Sequence, residues 1–407
     1  MRLFPRHAVA ATIALTASSG FAEDFTYHTQ YADQMGTKAP AARNLTEANS
    51  TAAGGAVYAN RNVSEFSTVA YNWAPSSTPF SFFEGGVTPM SSEDRAHVET
   101  TNTDGYIVVK NGVIIREYYA DGMHPTTKHG LHSTGKSLTS AVWHDALLPV
   151  MDKTVGELMP ELAQTVYAGQ TVRNLVDMRT PVFWYEDYAD PESPVVQSFA
   201  AVGLEYQNDE YELVAFTKTL KRNPKLEDGD WYYVSNNTNL MGLLGPRLAG
   251  VSAYEGTRQF LDALGMEYIS GSAANLHGQY DAGGGQYMTL RDMVKLPYAM
   301  ANGGKVEDRQ VLSEAYINDV FSADDAKRAA WANGPYAGPM PDIQFYSNQW
   351  YIVDENIAVG IGSYGQYLAF NRETGVAIAK MSTYHTGQNF LQGQPDLAWV
   401  IEQVQSY

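Results

Sequence analysis

His132-Ser133-Thr134-Gly135-Lys136-Ser137-Leu138-Thr139-Ser140-Ala141-Val142-Trp143 is the stretch on which the reading of this chain turns. Leu138, Val142 and Ala146 recur at helical spacing, so a helix starts near Ser133. Residues three apart on a helix share a face, which brings the Lys136 amine beside the Ser133 hydroxyl. A serine hydroxyl is a weak nucleophile at neutral pH and needs a base in contact. Lys136 can take its proton once burial or nearby positive charge depresses the amine's pKa. On the first helical turn the Ser133 backbone N–H also lies in a positive field, where it can bind a developing oxyanion. Alone, Ser-x-x-Lys also describes a helix cap followed by a surface lysine. Here it occurs once in the chain, follows a β-hairpin and opens an apolar helix, the setting that serine chemistry requires.

Working outward, the hairpin spans Gly105 to Tyr119. Ile107-Val108-Val109 and Val113-Ile114-Ile115 are β-branched runs around Lys110-Asn111-Gly112, a tight-turn signal. From 150 to 340 the pattern is mostly helical, with candidate helices over Val155–Leu162, Val172–Met178, Glu212–Leu220, Thr238–Leu248, Tyr254–Leu264 and Leu290–Asn302. Gly283-Gly284-Gly285 forces an irregular turn. It lacks the lysine and preceding strand of a phosphate cradle and reads as close backbone packing. Strand patterns return over Gln349–Val353, Ala358–Ile361, Gln366–Asn371 and Gly375–Met381, followed by a closing helix over Asp396–Val404. Strands at both ends around a helical insert imply that the ends meet in one sheet. The fold class is therefore α/β (α+β): residues 61–149 with 341–407 form a sheet domain, and 150–340 an α-helical domain, with a cleft between them as the expected site.

A second chemical element stands about one hundred residues after the first. Asp230-Trp231-Tyr232-Tyr233-Val234-Ser235-Asn236 is an aromatic turn running into a helix, with Tyr233 and Ser235 as a Tyr-x-Ser pair. A phenol beside a lysine ammonium can be held partly ionised and relay a proton to a leaving group. Without the serine motif, Tyr232 and Tyr233 would read as core packing.

Composition narrows the function classes. The 407 residues carry a net charge of -18, which repels nucleic acid and anionic membranes, so neither is expected as a partner. With no cysteine there is no disulfide, thiol nucleophile or thiolate metal site. His124, His129 and His132 lie in a loop with no carboxylate at ligand spacing, and no His-Glu-x-x-His occurs; no metal and no cofactor is expected. Leu131 stands where a Gly-x-Ser-x-Gly elbow needs its first glycine, against an α/β-hydrolase. Arg2 and Arg6, the apolar run from Ala8 to Ala17 and the small residues before Glu23 read as a signal peptide over 1–22. A loosely ordered arm over 23–60 follows. No later segment is apolar enough to span a membrane, so export to the periplasm or medium is expected.

With these motifs the chain resembles the serine β-lactamase and penicillin-binding-protein superfamily of the class C kind. In that superfamily Ser-x-x-Lys opens a helix and Tyr-x-Asn or Tyr-x-Ser precedes another. Its 6-aminohexanoate-dimer (nylon oligomer) hydrolase branch is the most similar. Three segments carry that likeness: His132–Ser137, the loop Met178–Pro191 with its Glu186-Asp187-Tyr188, and Gly362-Ser363-Tyr364-Gly365-Gln366-Tyr367. The resemblance implies a β-lactamase/transpeptidase-like fold, an antiparallel sheet flanked by helices plus a mostly helical domain. It also implies a serine hydrolase that cleaves a small amide or ester through an acyl-enzyme at Ser133, with Lys136 and Tyr233 as the other catalytic groups. It makes Tyr188 a loop tyrosine over the substrate amide, or else a loop anchor. It puts a second oxyanion donor in the backbone near Gly365 and Gln366, with Ser235 nearby.

Two departures stand out. Ser235 replaces the amide of Tyr-x-Asn. Gly360-Ile361-Gly362 stands in place of Lys-Thr-Gly, removing a positive charge that would grip a β-lactam carboxylate. Pro181 also replaces a loop glycine. Alternatives on the same scaffold are a D-Ala-D-Ala carboxypeptidase or penicillin binder, and a non-catalytic binding protein. The sequence leaves the oligomeric state open.

Overall fold

The computed structural model describes residues 59–204, 212–384, 386–387 and 390–407. The expected signal peptide and all but the end of the expected arm lie outside the described residues. The arm's last two residues, Ala59 and Asn60, are buried rather than loose.

The strands are β1 (Val69–Trp73), β2 (Thr103–Lys110), β3 (Val113–Tyr119), β4 (Lys128–Gly130), β5 (Ser270–Ala274), β6 (Gln286–Thr289), β7 (Lys305–Val306), β8 (Arg309–Gln310), β9 (Phe345–Ser347), β10 (Trp350–Ile352), β11 (Ile357–Gly362), β12 (Gln366–Asn371) and β13 (Val376–Ser382). The main sheet has seven antiparallel strands in the order β3-β2-β13-β12-β11-β10-β9. The two ends of the chain meet where β2 pairs with β13, Ile107 opposite Ala379 and Val109 opposite Ala377. At the hairpin, Asn111 and Gly112 take φ of 49° and 81°, the left-handed pair that lets a two-residue turn follow the strands' twist.

Every residue of β12 and β13 is buried, so both faces of the sheet are covered. The C-terminal helix Phe390–Ser406 and the helix Lys295–Ala301 pack on these strands. Ile107, Val108 and Val109 are wholly enclosed. Each such aliphatic side chain contributes about 1.5–3 kcal/mol through burial.

The helix carrying the serine motif, α1 (Gly135–Leu147), packs against α2 (Ser235–Ala249). The approach depends on Gly245: a Cβ there would fall 2.5 Å from the Trp143 ring. This contact opens a second apolar cluster around Trp143, Leu147, Leu240 and Leu244.

The structure shifts several expected elements, each for a local reason. Val155–Leu162 breaks after Leu158, where Pro160 starts a separate 3-10 turn. Leu290–Asn302 divides at Val294 into Leu290–Met293 and Lys295–Ala301, with Pro297 in the first turn of the second piece. β5 and β6 lie inside the stretch expected to be mostly helical. The sequence of β5, Ser-Gly-Ser-Ala-Ala, has no β-branched residue; pairing with β1 and β6 makes it a strand. β1, β5, β6 and β4 form a small sheet of their own. Among the described residues no helix is long and apolar enough to cross a membrane.

Candidate active site

Ser133 occupies a 3-10 turn, His132–Thr134, that runs directly into α1. The turn is entered through His132 at φ 46°, and the Thr134 hydroxyl donates back to Leu131 O at 2.7 Å. Ser133 is therefore on the turn before the α-helix, not inside its first turn. Lys136 is buried and donates to Ser133 Oγ at 2.8 Å and to the carbonyl of Gly283. Burial pushes its pKa below the usual lysine range, while the carboxylates of Glu186 and Asp281 push the other way. Depression wins, which favours the neutral amine that can accept a proton.

The phenol of Tyr233 completes the group. Lys136 Nζ stands 5.1 Å from the centre of its ring, and the Ser133 hydroxyl lies close enough to lower the phenol's pKa. Burial first, then Tyr351, Glu186 and Tyr346, raise the phenol's pKa well above its ordinary value. The partly ionised phenol expected from the sequence is thus corrected. In the free protein this group is a neutral phenol, suited to donate a proton.

Ser235, at the start of α2, donates to Glu186 Oε1. Glu186 also accepts from Trp184 Nε1 at 3.0 Å and from the Tyr188 hydroxyl at 3.2 Å. Tyr188 lies 3.0 Å from Ser363 Oγ, so its hydroxyl ties the loop to the end of β11. Here the Tyr188 side chain is a loop anchor. Gln366 is fully buried; its amide donates to Ser363 O at 3.1 Å and Ser382 O at 2.6 Å and accepts from Ser382 N at 3.2 Å. The Gly365 N–H donates to Gly362 O at 3.3 Å. The Gln366 side chain and the Gly365 N–H are thus committed to shaping the strand end.

Two cavities meet at this cluster. The larger, about 110 Å³, is lined by Tyr233, Glu186, Tyr336, Tyr351, Ile361 and other largely apolar groups. The smaller, about 60 Å³, holds Lys136 and Asp281 opposite Val195, Phe199 and Val202. Ser133 lines both.

The family model for beta-lactamases matches residues 97–402. The chain belongs to the beta-lactamase family. A 6-aminohexanoate-dimer hydrolase from Paenarthrobacter ureafaciens is 28% identical over 296 residues, 70% of this chain and 74% of that protein. A Bacillus anthracis structure provisionally named a 6-aminohexanoate-dimer hydrolase superposes with a TM-score of 0.71 at 21% identity, covering 85% of this chain and 92% of its own. A class C beta-lactamase superposes with a TM-score of 0.52 at 16% identity, covering 75% and 93%. These likenesses establish a beta-lactamase/transpeptidase fold.

Against the beta-lactamase pattern, the glycines that replace Lys-Thr-Gly have a visible cause. A Cβ at Gly362 would lie 2.9 Å from Leu131 O and 3.1 Å from Ser133 N, and one at Gly360 3.0 Å from Ser137 Oγ. β11 passes so close to the start of α1 that a Cβ is excluded at Gly362 and is tight at Gly360, where the Ser137 hydroxyl would have to give way. Gly283, read from sequence as packing only, also supplies the carbonyl that holds Lys136. Its N–H donates to Asn239 Oδ1 at 2.8 Å and Asp281 Oδ1 at 3.1 Å. Asp281, Asn239, Glu186 and Asn60 are site residues to which the sequence reading gave no role. Each lies far along the chain from Ser133, and only Glu186 falls in a segment singled out from sequence, the Met178–Pro191 loop.

Asn60 belongs to a buried polar cluster behind the serine. Its Oδ1 is 2.8 Å from His132 Nε2 and its amide donates to Thr383 Oγ1 at 3.0 Å. Thr383 donates in turn to Asp104 at 2.5 Å, which pairs with Arg61 and with His129 at 3.2 Å. Loss of water around His132, then His129 and Lys136, lower its pKa to about 3, so it stands as a neutral ring that positions the turn. Burial raises the Asp104 pKa, but His129, Thr383 and Arg61 outweigh it and hold it at about 2.

Proposed function

We propose that this chain is a serine hydrolase that cleaves a small amide or ester through an acyl-enzyme at Ser133. The observation that carries the reading is the 2.8 Å contact between a buried, pKa-depressed Lys136 and a half-buried Ser133 that opens onto two cavities. The neutral Lys136 amine takes the hydroxyl proton as Oγ bonds to the substrate carbonyl carbon. The Ser133 N–H, at the positive start of α1, supports the oxyanion. As the tetrahedral centre collapses, the bond to the alcohol or amine breaks. The leaving group takes a proton from Tyr233, which is replenished from the Lys136 ammonium. Water, deprotonated through the same pair, then releases the acid and restores Ser133.

Membership of the beta-lactamase family and the name of the Paenarthrobacter relative support amide or ester cleavage. The test is labelling by a fluorophosphonate probe, with a hydrolysis screen of p-nitrophenyl esters, linear amides and nitrocefin. Labelling and turnover that vanish in Ser133→Ala are expected; labelling that persists in that variant rules out the assignment. Export is proposed on the N-terminal sequence pattern. A mature protein starting at Glu23 in the extracytoplasmic fraction is the expected result, and a cytoplasmic protein retaining Met1 would overturn it.

A further inference from the structure

We infer that the substrate is an ester or amide that carries no carboxylate and has apolar groups on both sides of the scissile bond, the smaller acyl group entering the Phe199 chamber. This rests on Ser133 being the nucleophile. Among the described residues Ser133 is the one lining both chambers, so a carbonyl carbon bonded to its Oγ must direct its two substituents into them. Tyr233, the proton donor, lines only the larger chamber, and Lys136 only the smaller. The alcohol or amine that receives the proton therefore departs through the larger one, and the acyl group occupies the smaller.

The charge inventory sets the substrate class. Among the described residues no arginine lines either chamber, and Lys136, the one lysine, is already bonded to Ser133 and Gly283. A substrate carboxylate would find no cation there. The two carboxylates, Glu186 in the larger wall and Asp281 in the smaller, would repel a substrate anion further. Glu186 accepts from Trp184, Tyr188 and Ser235, and Asp281 accepts from the backbone of Gly283 and Gly284. Most of the exposed wall of each chamber is apolar, although Asn60, Ser198, Ser235 and Asn239 also line the smaller one. Val195, Phe199 and Val202 face the acyl side; Tyr351, Ile361 and Leu397 face the leaving-group side. The hydroxyls of Tyr367 and Tyr384, also in the larger wall, are turned to Gly393 O and Asp396, so these residues offer rings rather than hydroxyls. Burying a charged group without a partner costs far more than burying a neutral chain of the same length.

The experiment compares p-nitrophenyl pentanoate with mono-p-nitrophenyl glutarate, which share a leaving group and differ by an acyl-end carboxylate. A preference of at least about 100-fold in kcat/KM for the pentanoate is expected, the scale set by an unpaired charge in a closed pocket. Phe199→Ala should raise the hexanoate-to-acetate ratio of kcat/KM and Val195→Phe should lower it. Both are compared at matched folded fraction by circular dichroism. Equal turnover of glutarate and pentanoate esters, or ratios unmoved in both variants, overturns the inference. If Ser133→Ala retains turnover, the Ser133 reading fails first. Turnover that depends on Ser133 but ignores acyl charge and length sinks the chamber assignment alone.

Discussion

Lys136 and Lys380 are both buried lysines within this fold, and burial lowers the pKa of both, but they are held in opposite ways. Lys380, on β13, donates to Asp396 Oδ2 and to Ser382 Oγ, each at 2.6 Å. Asp396 also accepts from His97 at 2.8 Å and from Tyr384. Although burial raises the Asp396 carboxyl, Lys380, His97 and Tyr384 outweigh it and hold its pKa below the usual range. The result is a closed ion pair that joins the sheet to the C-terminal helix. Lys136 instead bonds to a hydroxyl and a carbonyl, and its carboxylates act only from a distance. An ammonium bonded to a carboxylate loses an ion pair on deprotonation. One bonded to neutral acceptors loses much less. The same residue type is thus a fastening in one place and, in the proposed mechanism, a proton acceptor in the other.

Lys136→Met tests the comparison with the largest effect. It should lower kcat on p-nitrophenyl esters by at least about 10⁴-fold, as for removal of one member of a unit acting together, with the folded state retained in urea titration. A large stability loss with activity per folded molecule intact would reverse the roles of the two lysines. Tyr233→Phe should follow, with about a 10²–10⁴-fold loss on an anilide. The loss on the matching p-nitrophenyl ester should be smaller, because nitrophenolate departs without a proton. Equal losses on both substrates would remove Tyr233 as proton donor.

Lys380→Met is the mirror experiment. Stranding Asp396 should cost about 3–5 kcal/mol in urea unfolding. Lys380→Met combined with Asp396→Asn should recover part of that. Neither change should alter kcat per folded molecule by more than a small factor. The smallest effect is expected for Asp281→Asn. Asp281 and Glu186 both favour the Lys136 ammonium, and Tyr233 and the Gly283 carbonyl are the other groups facing the amine. Removing the Asp281 charge lowers the Lys136 pKa further, so the acid limb of the kcat/KM profile should move to lower pH, by about half a unit to one unit. A limb that moves upward would mean the amine is not the titrating base.

Much of the site was readable because its chemistry is local. Ser133 and Lys136 are three residues apart, and a helix start places that spacing on one side whatever surrounds it. The hairpin at Asn111-Gly112 is equally local, since the turn needs two left-handed residues and Asn-Gly supplies them. Long-range groups were less legible. Glu186 lay in a recognised loop but had no assigned role until Ser235, Trp184 and Tyr188 were seen to converge on it. Asp281 lay beside a glycine run that read as packing. β5 was missed because its small residues carry no strand signature, only partners.

By itself the sequence determined the hydroxyl–amine pair of Ser133 and Lys136, the hairpin and helix beside it, and the return of the chain to one sheet. These follow from spacing, turn chemistry and hydrophobic periodicity, which act over a few residues. Tertiary structure alone decided that Lys136 is buried against neutral acceptors while Lys380 is locked to a carboxylate. It also decided that Tyr233 is a neutral phenol and that Ser133 stands between two chambers. Burial and long-range pairing fix a group's charge and reach, and neither is written in its immediate neighbours along the chain.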